Sequence, residues 1–345
     1  MPAHRTPGGK RSMPLRVGVL GAGAIGRRHA EVYARQPDCQ VVAIADLDPA
    51  RGQPLADALG ARYYPDLQTL LTDERVQAVS VCLPHALHAE AVVALARAGK
   101  HVLVEKPIAT TLADADRMIA ACRQAGVVLI VGQTHRFYPE HRLADRLLHE
   151  GAIGQVLTVT DTIWAGHDED RPLGWRGRLA LNGGGIFMDN GVHAADRLRW
   201  WLRSPVTWVA ARTGRGRGLL EGEEHGTALL GFANGLTATL HQVLGVPRAA
   251  SRCRVEFVGT DGILQVDTWQ GVRLCRRGGV WEEVPVPPAW PGGFEAEIAE
   301  FLAAIREGRP PTVPGEEGRA ALEVILAIYR AAETGTVVQL PLPAA

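Results

Sequence analysis

The chain has 345 residues, too many for one ordinary hydrophobic core, so two domains are expected. Hydrophobic residues make up 46% and charged residues 21%, and 37 Lys+Arg balance 37 Asp+Glu, which fits a soluble globular protein and speaks against a general nucleic-acid binder. Five cysteines, an odd count without a C-x-x-C pair, point to a reducing, cytoplasmic setting and not to a disulfide framework, and no apolar run is long enough to span a membrane.

Residues 1–13, MPAHRTPGGKRSM, are basic and rich in Pro and Gly but lack an apolar stretch, so they read as a disordered tail and not a signal peptide, with Met13 an alternative start. From Leu15 the pattern is strand, glycine turn, helix: LRVGVL, GAGAIG, RRHAEVYARQ. Strands follow at Val41–Asp46, Val76–Pro84, Lys100–Pro107 and Val127–Gln133, separated by helices around Leu55–Leu59, His88–Gly99 and Leu112–Gly126. Apolar strands alternating with helices predict a parallel sheet covered on both faces. After about Arg136 the texture changes. A helix at Pro139–Glu150 precedes alternating strands such as QVLTVTDTIW, LTATLHQV and RCRVEFVG, with turn signals at Asn234-Gly235 and Asp261-Gly262. Helices are expected at the GGG segment, near Phe294–Arg306 and over Glu316–Glu333, and VVQLPL adds an edge strand. The fold class is therefore α/β. A Rossmann domain over 14–135 precedes an α+β domain with a large open, mostly antiparallel sheet over 136–345.

Gly21, Gly23 and Gly26 form a G-x-G-x-x-G with Ala24 and Ile25 inside it, placed between a strand and a helix and followed by Asp46 at the end of the next strand. That context predicts a dinucleotide site. The first glycine allows a tight turn, the second lets a pyrophosphate approach the backbone, and the third lets helix and strand pack. The helix N-terminus offers free N–H groups and the positive dipole end. Asp46 would accept hydrogen bonds from the adenosine ribose hydroxyls and repel a 2′-phosphate, so NAD is expected over NADP.

Glu105-Lys106-Pro107 ends the strand KHVLVEKP, at the carboxyl edge where ligands of such sheets bind, so Lys106 is expected to point at the nicotinamide end. The segment NGGGIFMDNGVHAADRLRWWL, Asn182 to Leu202, places three glycines before a helix. At 100° per residue Asp189, His193, Asp196 and Trp200 share one stripe, and Met188, Val192, Ala195, Leu198 and Leu202 form the buried face. The plain reading is an exposed ion pair between Asp189 and His193. Three consecutive glycines argue instead that something lies against the backbone there, and substrate and nicotinamide are expected in that place.

With these motifs on the page the sequence resembles the glucose–fructose oxidoreductase, inositol dehydrogenase and MocA (Gfo/Idh/MocA) oxidoreductases, from Leu15 to about Glu333. The carriers are VGVLGAGAIGRRHA, HALHAEAVVALARAGKHVLVEKP, GGGIFMDNGVHAADRLRWWL and EFVGTDGILQV. The resemblance implies a Rossmann domain followed by an open sheet whose face often builds a homodimer or homotetramer. It implies that Lys106 lies near the nicotinamide and the reacting hydroxyl, that His193 accepts and returns the proton, and that Asp189 binds or orients at the same centre. Trp175 and Arg176 resemble a pair that touches the cofactor, and Arg136 stands where family members line the pocket. Pro84 and His88 match a segment along the cofactor, with Leu83-Pro84-His85 here in place of Thr-Pro-Asn, and Glu105 accompanies Lys106. Phe294 stands where a tyrosine is common.

His85 and His88 lack further ligands at structural-zinc spacing, so no metal is expected. The acidic loop His167-Asp168-Glu169-Asp170 reads as solvated, or as a group that binds sugar hydroxyls or a cation. The expected function is an NAD-dependent dehydrogenase acting on a secondary hydroxyl of a sugar, cyclitol or sugar-derived acid, with Lys106, Arg136, His167, Asp189 and His193 around the substrate. No nucleic-acid or membrane partner is expected. Two alternatives are an NAD-dependent elimination and hydrolysis of a glycosidic bond on the same fold, and a non-catalytic sensor of sugar and dinucleotide.

Overall fold

Short apolar runs buried on both faces build the first sheet. In a computed structural model, which describes residues 13–167 and 173–343, strands β1 (Leu15–Leu20), β2 (Cys39–Ala45), β3 (Arg62–Tyr64), β4 (Ala78–Val81), β5 (His101–Glu105) and β6 (Leu129–Gly132) pair in parallel, in the order β3-β2-β1-β4-β5-β6. Residues 1–12 of the tail expected over 1–13, and Asp168, Glu169 and Asp170 of the acidic loop, lie outside the described residues. Strand order reverses between β1 and β4, which opens a crevice at their carboxyl ends. Helix boundaries follow capping chemistry. Thr111 caps Leu112–Ala125 by accepting from the Asp114 N–H at 3.1 Å, and Gly126 ends that helix at φ 67°. β3 is an addition to the expected set: three residues are too few to carry a period.

The second sheet follows period-two patterning. Strands β7 (Val156–Gly166), β8 (Val206–Gly214), β9 (His225–Phe232), β10 (Thr237–Val246), β11 (Arg252–Gly259), β12 (Gly262–Asp267), β13 (Gly271–Arg276), β14 (Glu282–Val284) and β15 (Val338–Gln339) lie in the order β14-β13-β12-β11-β7-β10-β9-β8-β15. Every pairing is antiparallel except β7 with β10. Burial alternates along β10 and β11, so one face is covered by helices while the other stays open. On the covered face Trp201 meets Phe257 edge-on at 5.3 Å.

Two late helices return to the first domain. Gly293–Glu307 docks on Ala24–Arg35, where Arg28 pairs with Glu295 at 3.0 Å, and the lead-in to Gly315–Thr334 adds to the edge of β6 through the Val131 N–H and the Val313 carbonyl at 3.0 Å. The five cysteines are free. Among the described residues no helix is long and apolar enough to cross a membrane.

The GGG segment corrects its expected geometry. A short helix, Leu179–Asn182, ends at Gly183 (φ 79°), and a π-helical turn, Phe187–Gly191, precedes the α-helix Val192–Leu202. Asp196 and Arg197 are fully buried and His193 nearly so, so the helix has no solvated stripe. The glycines make room for protein. A Cβ on Gly183 would stand 2.4 Å from Thr110 Cγ2, on Gly184 2.2 Å from the Tyr329 hydroxyl, and on Gly185 1.9 Å from the Glu223 carbonyl oxygen. The Tyr329 hydroxyl accepts from the N–H groups of Gly185 (3.2 Å) and Met188 (3.0 Å) and donates to Glu223 Oε1 (3.0 Å), which also accepts from the Phe187 N–H (2.9 Å). Tyr329 and Glu223 thus cap the turn that the glycines let them approach.

Candidate active site

A cavity of about 650 Å³ opens at the carboxyl ends of the parallel strands and runs toward the edge of the second sheet. Its first end is the glycine turn. A Cβ on Gly21 (φ 95°) would stand 2.4 Å from the Cys82 carbonyl oxygen, and one on Gly26 would stand 1.7 Å from the Gly21 carbonyl oxygen, so the fold itself demands both. Gly23 differs: a Cβ there would meet nothing within 4 Å. It faces the cavity with Ala24 and Ile25, and the helix Ala24–Arg35 begins without a side-chain cap. An uncapped helix start beside a glycine that no protein atom requires fits a dinucleotide pyrophosphate. Asp46, buried at the end of β2, accepts from the N–H groups of Ala22 (2.6 Å) and Asp48 (2.8 Å), and Arg51 lies 3.3 Å from its Oδ1. A carboxylate offers about four acceptor sites, so one remains for a ribose hydroxyl.

Lys106 and Asp189 meet at the centre. Lys106 Nζ donates to the Asp189 carbonyl at 2.6 Å and to its Oδ1 at 3.3 Å, and Arg176 Nε lies 3.5 Å from Oδ2. Burial alone would raise the Asp189 carboxyl. The cations of Lys106 and Arg176 outweigh it and hold the group well below the usual carboxylate range. His193 stands beside them. Its Nδ1 is 3.1 Å from Gln133 Oε1, its Nε2 makes no hydrogen bond among the described residues, and the residue lines the cavity. With the amide oxygen facing it, Nδ1 carries the proton and Nε2 presents a lone pair to the cavity. Burial pushes His193 well below the ordinary histidine value, and Lys106 and Arg197 push it further.

Beneath His193 is a buried support. Its ring stacks on His135, whose Nδ1 accepts from Arg197 at 2.7 Å, and Arg197 forms a two-point pair with Asp161 at 2.8 and 2.6 Å. Trp175 and Arg176 line the cavity, with Trp175 edge-on to His85 at 4.7 Å, and burial pushes His85 down to about 3.

Several expected residues lie elsewhere. Arg136 is nearly fully buried and committed to Asp196 (2.7 Å twice) and Glu317 (2.6 Å), so it holds helices together and does not line the cavity. Pro84 and His88 do not line it either. Both His88 nitrogens lie 2.9 Å from carbonyl oxygens, of Pro107 and Leu83, and the ring staples the loops after β4 and β5. Leu83 and His85 take the cavity positions instead. His167 is half-buried outside the lining residues, its N–H donating to the Val246 carbonyl at 3.2 Å. Glu105 lines the cavity and sits 3.1 Å from His29 Nε2. Glu297 shares that neighbourhood, and ligand atoms of His29, Glu105 and Glu297 lie within 4.8 Å of one another. Burial and the Glu105 charge push the Glu297 carboxyl well up. Sequence reading missed Gln133, Thr134, His135, Asn190 and Trp269. Gln133 and its neighbours carried one signal, their place at the carboxyl end of β6.

Comparison with known proteins agrees with this architecture. The sequence model of the oxidoreductase family with an NAD-binding Rossmann fold (GFO_IDH_MocA) matches residues 15–133, and that of the GFO/IDH/MocA C-terminal domain matches 141–265. A 1,5-anhydro-D-fructose reductase of Ensifer adhaerens is 34% identical over 93% of this chain and 97% of its own. A myo-inositol 2-dehydrogenase of Thermotoga maritima is 31% identical over 89% and 93%. The crystal structure of an aldose-aldose oxidoreductase from Caulobacter crescentus, complexed with glycerol, superposes with a TM-score of 0.87 at 30% identity, covering 95% of this chain and all of that one. The chain belongs to the Gfo/Idh/MocA oxidoreductase family.

Proposed function

From that membership and the geometry around His193, we propose that the protein is an NAD-dependent dehydrogenase of a secondary hydroxyl on a sugar, cyclitol or sugar-derived acid, running in reverse as a reductase. The observation that carries the reading is the pairing of an open, neutral His193 Nε2 with Lys106, both on the cavity wall that continues from the glycine turn. Bound in that cradle, a nicotinamide supplies the hydride acceptor. Gly23, Ala24 and Ile25 would lie along its pyrophosphate, Asp46 at its adenosine ribose, and Lys106 at its reactive end.

The residues then divide the work. His193 Nε2 accepts the hydroxyl proton as the carbinol carbon is oxidised. Lys106 stabilises the negative charge developing on that oxygen. Asp189 keeps Lys106 aimed, and Gln133 keeps the His193 proton on Nδ1. Leaving the imidazole neutral at neutral pH is the purpose of its burial between cations.

Asp46 supports NAD over NADP, since a 2′-phosphate would meet a fixed carboxylate. Relatives named as reductases and dehydrogenases, at 34% and 31% identity, support hydride transfer over elimination, and the intact Lys106, Asp189 and His193 argue against a sensor. The open face of the second sheet supports a homodimer or homotetramer, and five free thiols support the cytoplasm.

The test is a screen of aldoses, inositols and sugar acids with NAD+, read by NADH absorbance. A site of buried donors and acceptors rejects substrates that lack hydroxyls. Polyhydroxylated compounds are expected to turn over far faster than 2-butanol, and equal turnover would contradict the assignment.

A further inference from the structure

The cavity does not end at His193. Beyond it the walls are Thr268, Trp269 and Gln270, from the hairpin between β12 and β13, together with Ser251 and Cys253 from the approach to β11. Trp269 stands out. It is 71% exposed, although it lines a cavity, and its backbone sits at φ 68°, a region where bulky residues are rare. Strain of this kind persists where the surroundings hold it, and it concentrates at ligand-binding positions. Here the surroundings do hold it. The Trp269 N–H donates to Glu140 Oε1 at 2.7 Å, from a nearly buried carboxylate, and the Thr268 N–H donates to the Cys253 carbonyl at 2.8 Å. The Thr268 hydroxyl is 2.9 Å from His141 Nε2. The backbone at the hairpin tip is thus tied down, while the indole, which meets Tyr138 edge-on, keeps most of its surface open.

The ring is connected to the reaction centre by a ladder of ring contacts: Trp269 to Tyr138 at 6.1 Å, Tyr138 to His135 at 5.3 Å, and His135 to His193 at 4.0 Å. A substrate hydroxyl at His193 therefore leaves Trp269 at the far end of this ladder, on the wall of the same cavity. We propose that Trp269 is the platform of a second sugar subsite, so that the preferred substrate is a glycoside or disaccharide whose distal ring lies on the indole. A pyranose has a C–H face that stacks on an aromatic ring and an equatorial rim of hydroxyls. Gln270 and Ser251, which line the same cavity, supply donors and acceptors for that rim. This rests on the dehydrogenase reading for the position of the reacting ring, and it adds the substrate class.

The test uses equilibrium binding, which does not depend on turnover. Calorimetry on the NADH-loaded protein compares maltose, cellobiose, lactose, sucrose and trehalose with glucose and galactose. At least one disaccharide is expected to bind about tenfold more tightly than its component sugars, the scale of one stacked aromatic contact. Trp269→Asn tolerates the backbone conformation and should abolish that advantage, while Trp269→Phe should retain most of it. Disaccharides that bind no better than monosaccharides, or an advantage that survives Trp269→Asn, overturn the proposal. NADH formation measured separately, with the same sugars and NAD+ in place of NADH, separates the two claims. Trp269-dependent disaccharide binding without NADH from any sugar would refute the dehydrogenase reading and leave the subsite standing. NADH from sugars with no disaccharide preference would do the reverse.

Discussion

The imidazole of His193 lies flat on that of His135, with ring centroids 4.0 Å apart and planes 6° apart, and Arg197 donates to the far ring's Nδ1 at 2.7 Å. A neutral ring backed by a guanidinium is a poor place to put a second positive charge, which is what a protonated His193 would be. Burial and the charges of Lys106 and Arg197 all act in that direction, and only Asp189 opposes them.

The pH dependence follows. The proton-accepting form is the neutral one, so activity is lost as pH falls through the His193 pKa. Because that pKa is depressed, the acid limb of kcat/KM should lie clearly below about 6.5, the unperturbed histidine value. Lys106→Met removes a neighbouring cation and should move the limb upward, whatever it does to the absolute rate. A wild-type limb at or above the ordinary histidine value, or a downward move in the variant, would contradict the electrostatic account.

Gln133 is a positioning residue, and its variants separate tautomer control from packing. Gln133→Leu removes the Nδ1 partner and should lower kcat about tenfold, the scale of one hydrogen bond. Gln133→Glu places a carboxylate on Nδ1, which stabilises the imidazolium and should move the acid limb upward. A purely structural role would leave the pH profile of Gln133→Glu where the wild type has it.

The glycine segment gives a stability prediction. Gly185→Ala drives a Cβ to 1.9 Å from the Glu223 backbone oxygen, and neither backbone gives way cheaply. Overpacking of this kind costs about 1–3 kcal/mol. Tyr329→Phe leaves two N–H groups without their acceptor, also at about 1–3 kcal/mol. Both should lower Tm by several degrees, read by calorimetry. Unchanged Tm values in both would mean that the segment has room that the structure does not show.

Cofactor choice centres on Asp46. At about 4 Å a carboxylate and a phosphate charge repel by roughly 1–4 kcal/mol between aqueous and near-surface dielectrics. NAD+ should therefore bind more tightly than NADP+, and Asp46→Ser should narrow the gap. Arg51, 3.3 Å from Asp46 and more than half exposed, offsets part of that charge, so Arg51→Ala should widen it. Tighter binding of NADP+ by the unaltered protein would overturn the assignment.

What could be read from sequence follows from the range of the forces involved. Strands such as β4, buried along all four residues, show as apolar runs because a polar side chain there needs a buried partner, as Ser80 has in His29 and Tyr33. Gly21, Gly23 and Gly26 were legible because a short turn concentrates its requirements in six positions. The fate of Arg136 was not legible, since its partners Asp196 and Glu317 lie 60 and 181 residues away. The glycines at 183–185 read from sequence as room for substrate and nicotinamide, whereas the close approach is made by protein, and Tyr329, which makes part of it, stands 144 residues beyond Gly185. The stripe through Asp189 and His193 assumed a uniform 100° step, and the π-turn at Phe187–Gly191 breaks it. That break separates Asp189, turned to Lys106, from His193, turned to Gln133.

The most direct measurement is the kcat of His193→Asn against wild type, with the best substrate from the screen at saturating NAD+, together with the Kd of NAD+ for both proteins. Loss of a general base costs roughly 10²–10⁴ in rate. The account predicts a fall of that size with NAD+ affinity intact, because no residue of the glycine turn is touched. A kcat within a few-fold of wild type would show that His193 does not take the proton.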